Sequence, residues 1–137
     1  MEMKIQLDEG AILPTRAHKQ DAGLDLYAAY SFAVPAFGGV MHCIGVHVAI
    51  PEGYVGDIKS RSSMMREGIF TDGTIDCGYT GPISVVLVNH TMREFQVERG
   101  QKIAQLVIKK IITPELEVVE TLEETERGTG GFGSTGK

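Results

Sequence analysis

Residues 83–88 read Ile-Ser-Val-Val-Leu-Val, a run of strand length that is rich in β-branched side chains. Branched residues fit the pleated surface of a sheet, and a run this apolar predicts a strand that is buried on both faces. Upstream, residues 46–50 alternate between apolar and small or polar side chains, and they end at the turn Pro51-Glu52-Gly53. Both segments are therefore predicted strands.

The β pattern continues toward the C-terminus. Residues 103–112 predict another strand, in which Lys109 and Lys110 face water, and residues 116–119 predict a short last one. Turn signals recur about every 8–12 residues, a spacing that is typical of a sandwich or a barrel. The best helix signal covers residues 62–68, which start with two hydroxyl side chains and end at a glycine. The sequence thus predicts an all-β fold.

The composition indicates one globular domain. The 137 residues are 42% hydrophobic and 23% charged, and no apolar run approaches the roughly 20 residues that span a bilayer. The net charge of −5 argues against nucleic-acid binding, which needs a broad basic surface. With no signal-like N-terminus, and with Cys43 and Cys77 expected to be free thiols, we predict a cytoplasmic protein. The four histidines show no metal-ligand spacing and are expected to be structural: His18, His42, His47 and His90.

The C-terminus changes in character, because acidic residues 120–126 lead into Arg-Gly-Thr-Gly-Gly-Phe-Gly-Ser-Thr-Gly at 127–136. Glycines allow positive φ, so successive N–H groups can converge on one anion. The same composition also fits a plain flexible tail, but a tail needs neither the arginine nor the phenylalanine. We expect residues 1–120 to form the β domain and residues 121–137 to form a mobile arm, which closes over a bound phosphate ligand.

Two internal segments combine polar side chains with turn or helix signals. Lys-Ser-Arg-Ser-Ser at 59–63 forms either a second anion site at the helix start or an ordinary helix cap. Gly-Thr-Ile-Asp-Cys-Gly-Tyr-Thr-Gly at 73–81 predicts a hairpin before the strand at 83–88. Its Asp76 could activate a water and its Tyr79 could press on a sugar, or the two could simply open a turn and cover the core.

A third polar position lies in the strand-like sequence Ala-Gly-Leu-Asp-Leu at 22–26. Successive side chains of a strand point to opposite faces, so Leu24 and Leu26 share one face and Asp25 occupies the other. A single aspartate in such a strand usually faces water and has no functional role.

Taken in order, these segments resemble the five motifs of the trimeric dUTP pyrophosphatases. The first motif is matched at 22–26, the second by Arg-Ser-Ser at 61–63, and the third at 73–81. The fourth is matched by Gly-Gln-Lys-Ile-Ala-Gln-Leu at 100–106, and the fifth at 127–136. The resemblance covers nearly the whole chain, and the third and fifth motifs are the most specific.

Two motifs depart from the usual form of that family. The second often reads Pro-Arg-Ser-Gly, whereas this chain has Ser-Arg-Ser-Ser at 60–63. The fourth often has Asp-Arg where this chain has Gln101 and Lys102. Neither change removes a type of residue that contacts the ligand, although the serine at the end of the second motif lacks the backbone freedom of a glycine.

The resemblance implies hydrolysis of dUTP to dUMP and pyrophosphate, by in-line attack of water on the α-phosphorus with Mg²⁺ present. Such an activity supplies dUMP for thymidylate synthesis and keeps uracil out of DNA. The resemblance further implies a distorted β-barrel or jelly roll of the β-clip type. Three copies would form a homotrimer with shared active sites, and no nucleic-acid or membrane partner is expected.

The same resemblance implies the site residues. Asp76 would be the general base, and Asp25 would reach Mg²⁺ through a water. The phosphates would be bound by Arg61, Ser62, Ser63 and Gln105 and, at the γ end, by Arg127, Gly133, Ser134 and Thr135. Uracil and the sugar would be bound by Gly73, Thr74, Ile75, Asp76, Tyr79 and Ser84, with Phe132 stacked over the base.

Two other functions were compared with this one. A dCTP deaminase is similar in fold and in several motifs, but deamination needs a carboxylate in the base-binding hairpin, and residues 78–89 contain no Asp or Glu. A non-catalytic nucleotide sensor on the same scaffold would not need the complete set of site residues.

Overall fold

The computed structural model describes residues 1–136, which form eleven strands and one short helix. Their bounds are β1 (Lys4–Leu7), β2 (Gly23–Tyr27), β3 (Phe32–Val34), β4 (Gly39–Cys43), β5 (Val46–Ala49), β6 (Tyr54–Lys59), α1 (Ser62–Arg66), β7 (Ile69–Phe70), β8 (Asp72–Ile75), β9 (Ser84–Asn89), β10 (Phe95–Val97) and β11 (Lys102–Lys110).

The strands form antiparallel sheets around one apolar core. The largest sheet has the order β2-β11-β6-β8, and the second has the order β4-β9-β7. The ribbons β1-β5 and β10-β3 complete the arrangement. Most neighbours are distant in sequence, since β11 pairs with both β2 and β6. The fold is therefore the all-β, jelly-roll type of barrel that the sequence and its resemblance predicted.

Several predicted elements are confirmed. The segment at 46–50 forms β5, and the turn after it is closed by the N–H of Tyr54, which donates to the carbonyl of Pro51. The segment at 103–112 corresponds to β11, where Lys109 and Lys110 are exposed as expected. The helix is one and a half turns long, and Gly68 follows it with a φ of 79°. Its expected hydroxyl cap is absent, because Arg61 occupies the N-cap position without a side-chain hydrogen bond.

Strand β9 does not have two buried faces, so that prediction is wrong for the single chain. Val85 and Leu87 are fully buried, whereas Val86 is 42% exposed and Val88 is 38% exposed. The strand alternates because only one of its faces meets the core of its own chain. The outer face remains apolar and extends to Phe70 on the neighbouring strand β7.

The predicted strand at 116–119 is also absent from the described residues. The last strand ends at Lys110, and the final backbone hydrogen bond to the body of the domain joins the N–H of Ile111 to the carbonyl of Gly53. Leu116 and Val118 are more than 90% exposed. The apolar alternation is present in the sequence, but no backbone hydrogen bond among the described residues pairs this segment with a strand.

Candidate functional site

A polar cleft of about 390 Å³ opens at one edge of the four-stranded sheet. Asp25 of β2 and Gln105 of β11 lie directly opposite each other in the sheet register, and both line the cleft. Arg61 and Ser62 enter from the start of α1, which directly follows β6. The cleft thus brings together residues of the first, second and fourth sequence motifs.

Two cations and two carboxylates line the cleft, namely Arg61, Lys102, Asp21 and Asp25. The side chain of Asp25 is 15% exposed and pairs with two cations. The Nε of Arg61 lies 3.4 Å from one carboxylate oxygen, and the Nζ of Lys102 lies 3.2 Å from the other. This trio carries one net positive charge, which the Asp21 carboxylate on the cleft wall offsets, so an anion would be bound by the directed donors of Arg61 and Lys102 rather than by a net positive field.

The guanidinium of Arg61 is oriented by further contacts. Its Nη1 donates to the Oγ of Ser63 at 3.1 Å and lies 3.5 Å from the backbone carbonyl of Lys102. Ser62 and Ser63 are exposed at the first turn of the helix. The forked donor and the two hydroxyls therefore lie beside one another at the mouth of the cleft, as expected for phosphate binding.

Gln105 is positioned by a close approach of two strands. Its Nε2 donates to the backbone carbonyl of Ser60 at 3.2 Å. A Cβ atom at Gly23 would lie only 2.2 Å from the side-chain oxygen of Gln105, so the glycine of the first motif makes room for this amide. The two motifs therefore fit together sterically as well as by strand pairing.

Lys102 was missed by the sequence analysis as a site residue. A regular strand would direct residues three apart to opposite faces, so Lys102 and Gln105 should not share a cleft. The pairing of β11 with β2 shifts register between Lys102 and Ala104, and this bulge turns both side chains to the same side. A bulge of this kind has no signal in the sequence.

The third motif lies in a different place. Strand β8 ends at Ile75, and residues 76–83, here called the 76–83 loop, lead to β9. The hairpin prediction is wrong, because β8 pairs with β6 whereas β9 pairs with β4 and β7. The glycines correctly indicated a chain reversal, but a local signal does not determine which strands pair.

Side chains of the 76–83 loop are presented to the outside. Asp76 is exposed, and its carbonyl accepts the N–H of Tyr79 to close a turn. The ring of Tyr79 lies against Gly81, and its hydroxyl donates to the carbonyl of Pro82 at 2.7 Å. Thr74 and Ser84, at the two ends of the motif, are also exposed.

The sheet register separates Asp76 from the cleft. Across the sheet, Asp25 pairs with Gln105, Gln105 pairs with Lys59, and Lys59 pairs with Asp72. Asp76 is four residues farther along and three strands across, which corresponds to about 13 Å in one direction and about 14 Å in the other. A single chain therefore does not bring Asp76 next to Arg61 and Asp25.

The glycine-rich C-terminal segment is likewise remote. Its contacts are internal, such as the Nε of Arg127 donating to the carbonyl of Gly130 at 2.7 Å. Phe132 is fully exposed with a φ of 50°. Within the described chain, no hydrogen bond joins residues 112–136 to the rest of the domain. The residues that line the cleft include none of this segment's predicted ligand contacts, Arg127, Gly133, Ser134 and Thr135.

Comparison with known proteins identifies the family. The dUTPase family model matches residues 9–136. The chain belongs to the dUTPase family. It is 45% identical to a deoxyuridine 5'-triphosphate nucleotidohydrolase of Yarrowia lipolytica, with 99% of this chain and 90% of the relative aligned. The corresponding enzyme of Clostridium tetani is 43% identical, with 98% and 97% aligned.

Solved structures of dUTPases have the same fold. The Staphylococcus bacteriophage 80alpha dUTPase with dUPNHPP superposes with a TM-score of 0.93 at 32% identity, covering 99% of both chains. A dUTPase of the S. aureus phage phi11, studied for its coordination of a structural Mg(II) ion, gives a TM-score of 0.83 at 31% identity, covering 90% of this chain and all of the other. This dUTPase family member is thus a dUTP diphosphatase.

Proposed function

We propose that three copies of the chain share each active site, where Asp76 of one copy orients a water for in-line attack on the α-phosphorus of dUTP. The observation that carries this proposal is the separation of Asp76 from the cleft around Arg61 and Asp25. Both groups belong to the family's motifs, yet one chain holds them far apart. A symmetric assembly can bring the 76–83 loop of one copy to the cleft of the next.

The cleft holds the triphosphate. Arg61 binds a phosphate with its forked guanidinium, and Ser62, Ser63 and Gln105 add neutral donors. Lys102 supplies a second cation. Because Arg61 and Lys102 already flank Asp25 at 3.4 and 3.2 Å, the donors are positioned before the substrate arrives. Preorganised charge of this kind stabilises the negative charge of phosphoryl transfer.

The donors of the cleft fit Mg²⁺ when the substrate supplies most of its ligands. No group of three or more Asp, Glu, His or Cys side chains in residues 1–136 could hold a metal ion by itself. Mg²⁺ typically keeps several waters and binds one or two carboxylates together with substrate phosphates, which matches a cleft whose carboxylates are Asp21 and Asp25. The bound ion would neutralise charge on the triphosphate, and Asp25 would hold one of its waters.

The base and sugar are bound by the third motif. Backbone groups from Gly73 through Ile75 and on to Ser84 border an exposed edge, where their N–H and C=O groups are available to a base. Tyr79 lies under the deoxyribose and leaves no room for a 2′-hydroxyl. Asp76 lies in the same loop, so binding of the nucleoside places the carboxylate near the α-phosphorus.

The arm completes the site by closing over it. Arg127 binds the γ end of the triphosphate, supported by Gly133, Ser134 and Thr135, while Phe132 stacks on uracil. The exposure of all these groups in the single chain supports this proposal, because a segment without contacts to its own domain is free to reach a neighbour.

Apolar surfaces on the single chain support the trimer. Val86, Val88 and Phe70 form a continuous exposed face on β9 and β7. Exposed apolar patches in soluble proteins mark interaction sites, and a second copy of the same chain would cover this one. In such an assembly, the segment that contains Leu116 and Val118 would pair with a strand of a second copy.

We further propose that the enzyme works in the cytoplasm. No helix within residues 1–136 is long and apolar enough to cross a membrane. Cys43 and Cys77 are both free and exposed, an arrangement that persists best in a reducing compartment.

Hydrolysis in ¹⁸O-labelled water tests the mechanism directly. Attack on the α-phosphorus places the label in dUMP, whereas attack on the β-phosphorus places it in pyrophosphate. The four common deoxynucleoside triphosphates serve as controls beside dUTP. Label in pyrophosphate, or equal turnover of dTTP, would rule out the proposed geometry.

A further inference from the structure

His47 occupies a position that no family motif covers. It lies on β5 opposite Gln6 of β1, and its side chain is 19% exposed. Its Nδ1 lies 2.7 Å from the backbone carbonyl of Thr80, and its Nε2 lies 2.9 Å from a carboxylate oxygen of Asp8. The imidazole therefore joins the N-terminal segment to the 76–83 loop, within one residue of Tyr79.

The two partners of the ring determine its protonation state. A backbone carbonyl can only accept a hydrogen bond, and an ionised carboxylate can only accept as well. Both ring nitrogens must therefore carry a proton for both bonds to exist, so the observed geometry is that of the imidazolium. A neutral ring would keep one bond and lose the other.

The anion on the other side of the ring is fixed in place. The N–H of Asp8 donates to the carbonyl of Gly45 at 2.9 Å, and the carbonyl of Asp8 accepts the N–H of Ala11 at 3.0 Å. Gly45 has a φ of 69°, and a Cβ atom there would lie 3.3 Å from the Cβ of Asp8. The turn between β4 and β5 thus holds the carboxylate beside His47.

Few other polar contacts hold the outer part of the 76–83 loop. The hydrogen bonds of Tyr79 to Asp76 and Pro82 lie within the loop itself, and Ile83 is attached through its backbone to Val46 and Ile44. Among the described residues, His47 is the only side chain from outside the loop that hydrogen-bonds to it. Loss of this bond would free the tip on which Asp76 and Tyr79 are carried.

From this arrangement we infer that His47 is a positioning residue, which holds the substrate-binding 76–83 loop in its working conformation most firmly while the imidazole is protonated, because only the charged ring bonds to Thr80 and Asp8 at once. The inference rests on the proposed role of Asp76 and Tyr79 in binding and hydrolysing dUTP. It adds a residue outside the five motifs and makes substrate binding depend on pH.

The surroundings of the ring favour the charged form. The hydrogen bond to Thr80 and the ion pair with Asp8 raise the pKa of His47 above its ordinary value, against a smaller opposing effect of burial. Gln6 is the partner of His47 on β1, and Lys4 lies two residues before it on the same side of the strand. Lys4 is the cation that lines the cavity beside His47. From the loop, the titratable groups are Asp76, Cys77 and Tyr79, whose hydroxyl turns to Pro82.

Steady-state kinetics of His47→Gln against the wild-type enzyme test the inference. At pH 6 we expect the KM for dUTP to be roughly three- to tenfold higher in the variant, the typical effect of losing one hydrogen bond of ordinary strength. As the pH rises through the pKa of His47, the ring loses its charge and its bond to Asp8, so the ratio of the two KM values should fall toward one. Glu52→Gln is the control, because Glu52 lies in the exposed turn after β5 and no described hydrogen bond joins it to the loop.

Two further measurements keep the test decisive. An NMR titration of the wild-type imidazoles should give His47 a pKa above 6.5, and Asp8→Asn should lower that pKa together with the pH at which KM rises. Hydrogen exchange at residues 77–81, corrected for the intrinsic effect of pH, should speed up as His47 deprotonates. These readouts remain available if His47→Gln fails to fold.

A KM ratio that stays constant from pH 6 to pH 9 would overturn the inference, as would a His47 pKa at or below the ordinary value. Failure of the proposed function looks different. In that case Asp76→Asn would keep its turnover, whatever the behaviour of His47.

Discussion

Lys102 contacts Asp25 across the pairing of β11 with β2, with the Nζ of the lysine 3.2 Å from the carboxylate. The contact exists because the bulge after Lys102 turns this side chain into the cleft. Asp25 thereby receives a cation on each oxygen, since Arg61 lies beside the other one. The cleft gains a second positive charge in a motif where the family more often has arginine.

Removing this cation should weaken substrate binding. Lys102→Gln is expected to raise the KM for dUTP by roughly five- to thirtyfold, because a hydrogen bond to a charged group is worth about 1–2 kcal/mol at such a partly exposed site. Lys109→Gln on the same strand is the matched control, since Lys109 pairs with Asp57 outside the cleft. Equal effects of the two substitutions on KM would show that Lys102 does not contact the substrate.

Asp76→Asn should separate catalysis from binding. The amide keeps the shape of the side chain but loses the anion that orients the water, so kcat should fall by roughly 10²–10⁴ with little change in nucleotide affinity. Asp72→Asn is the control, because Asp72 begins β8, the strand that leads to Asp76, and its side chain is 87% exposed. Near-normal turnover of Asp76→Asn would mean that another group activates the water.

The sequence predicted the fold class and several side chains of the cleft better than it predicted which strands pair and how the motifs lie relative to one another. Alternation in β2 and the sequence around Arg61 correctly indicated which side chains face outward. Strand partners were not predictable in the same way, because pairing across β8 and β9 depends on contacts between distant segments. The bulge at Lys102 and the separation of Asp76 from the cleft follow from that pairing.

Sharing of sites between subunits can be tested by complementation. Arg61→Ala and Asp76→Asn should each be nearly inactive alone. If one site takes Arg61 and Asp76 from different chains, trimers reassembled from an equal mixture contain intact sites, about one quarter of the total by random assortment around a cyclic assembly. Activity should therefore reappear after mixing under conditions that exchange subunits. An equal mixture that stays inactive, despite exchange shown by mass spectrometry, would place both residues in one chain's site.

His42 should make the fold sensitive to acid. The ring is fully buried, stacks on Phe32 with centroids 4.2 Å apart, and accepts the N–H of Ala29 at its Nε2. Its Nδ1 has no partner among the described residues. Burial lowers the pKa of His42, so the folded state binds a proton less readily than the unfolded state does.

The sign of the stability change follows from this shift. The contribution of neutral His42 is fully present above the unfolded pKa of about 6.5 and is lost as the pH falls below it. Urea unfolding at pH 8, 6.5 and 5 should show a decrease that His42→Gln largely removes, although the variant is less stable at pH 8. The raised pKa of His47 makes its contribution to stability change with pH in the opposite direction. The quantity to compare at each pH is therefore the difference in unfolding free energy between wild type and His42→Gln. A difference that does not vary with pH would contradict this role.

Deletion of residues 127–137 tests the arm most directly. The arm makes no described hydrogen bond to the body of its chain, and Phe132 is fully exposed. The melting temperature without ligand should therefore barely change, because a segment without such contacts contributes little to folding. Turnover of dUTP should collapse, since the deletion removes the cation, the γ-phosphate donors and the stacking ring together.

Phe132→Ala is the matched and milder variant of the same experiment. It keeps the phosphate donors and loses only the ring, which corresponds to about 1–3 kcal/mol of stacking on a base. We therefore expect kcat/KM for dUTP to fall by roughly ten- to a hundredfold in Phe132→Ala and by much more in the truncated protein. Early melting of the truncated apo-protein would show that the arm is part of the folded domain. Turnover that survives the deletion would show that the cleft and the 76–83 loop are sufficient without it.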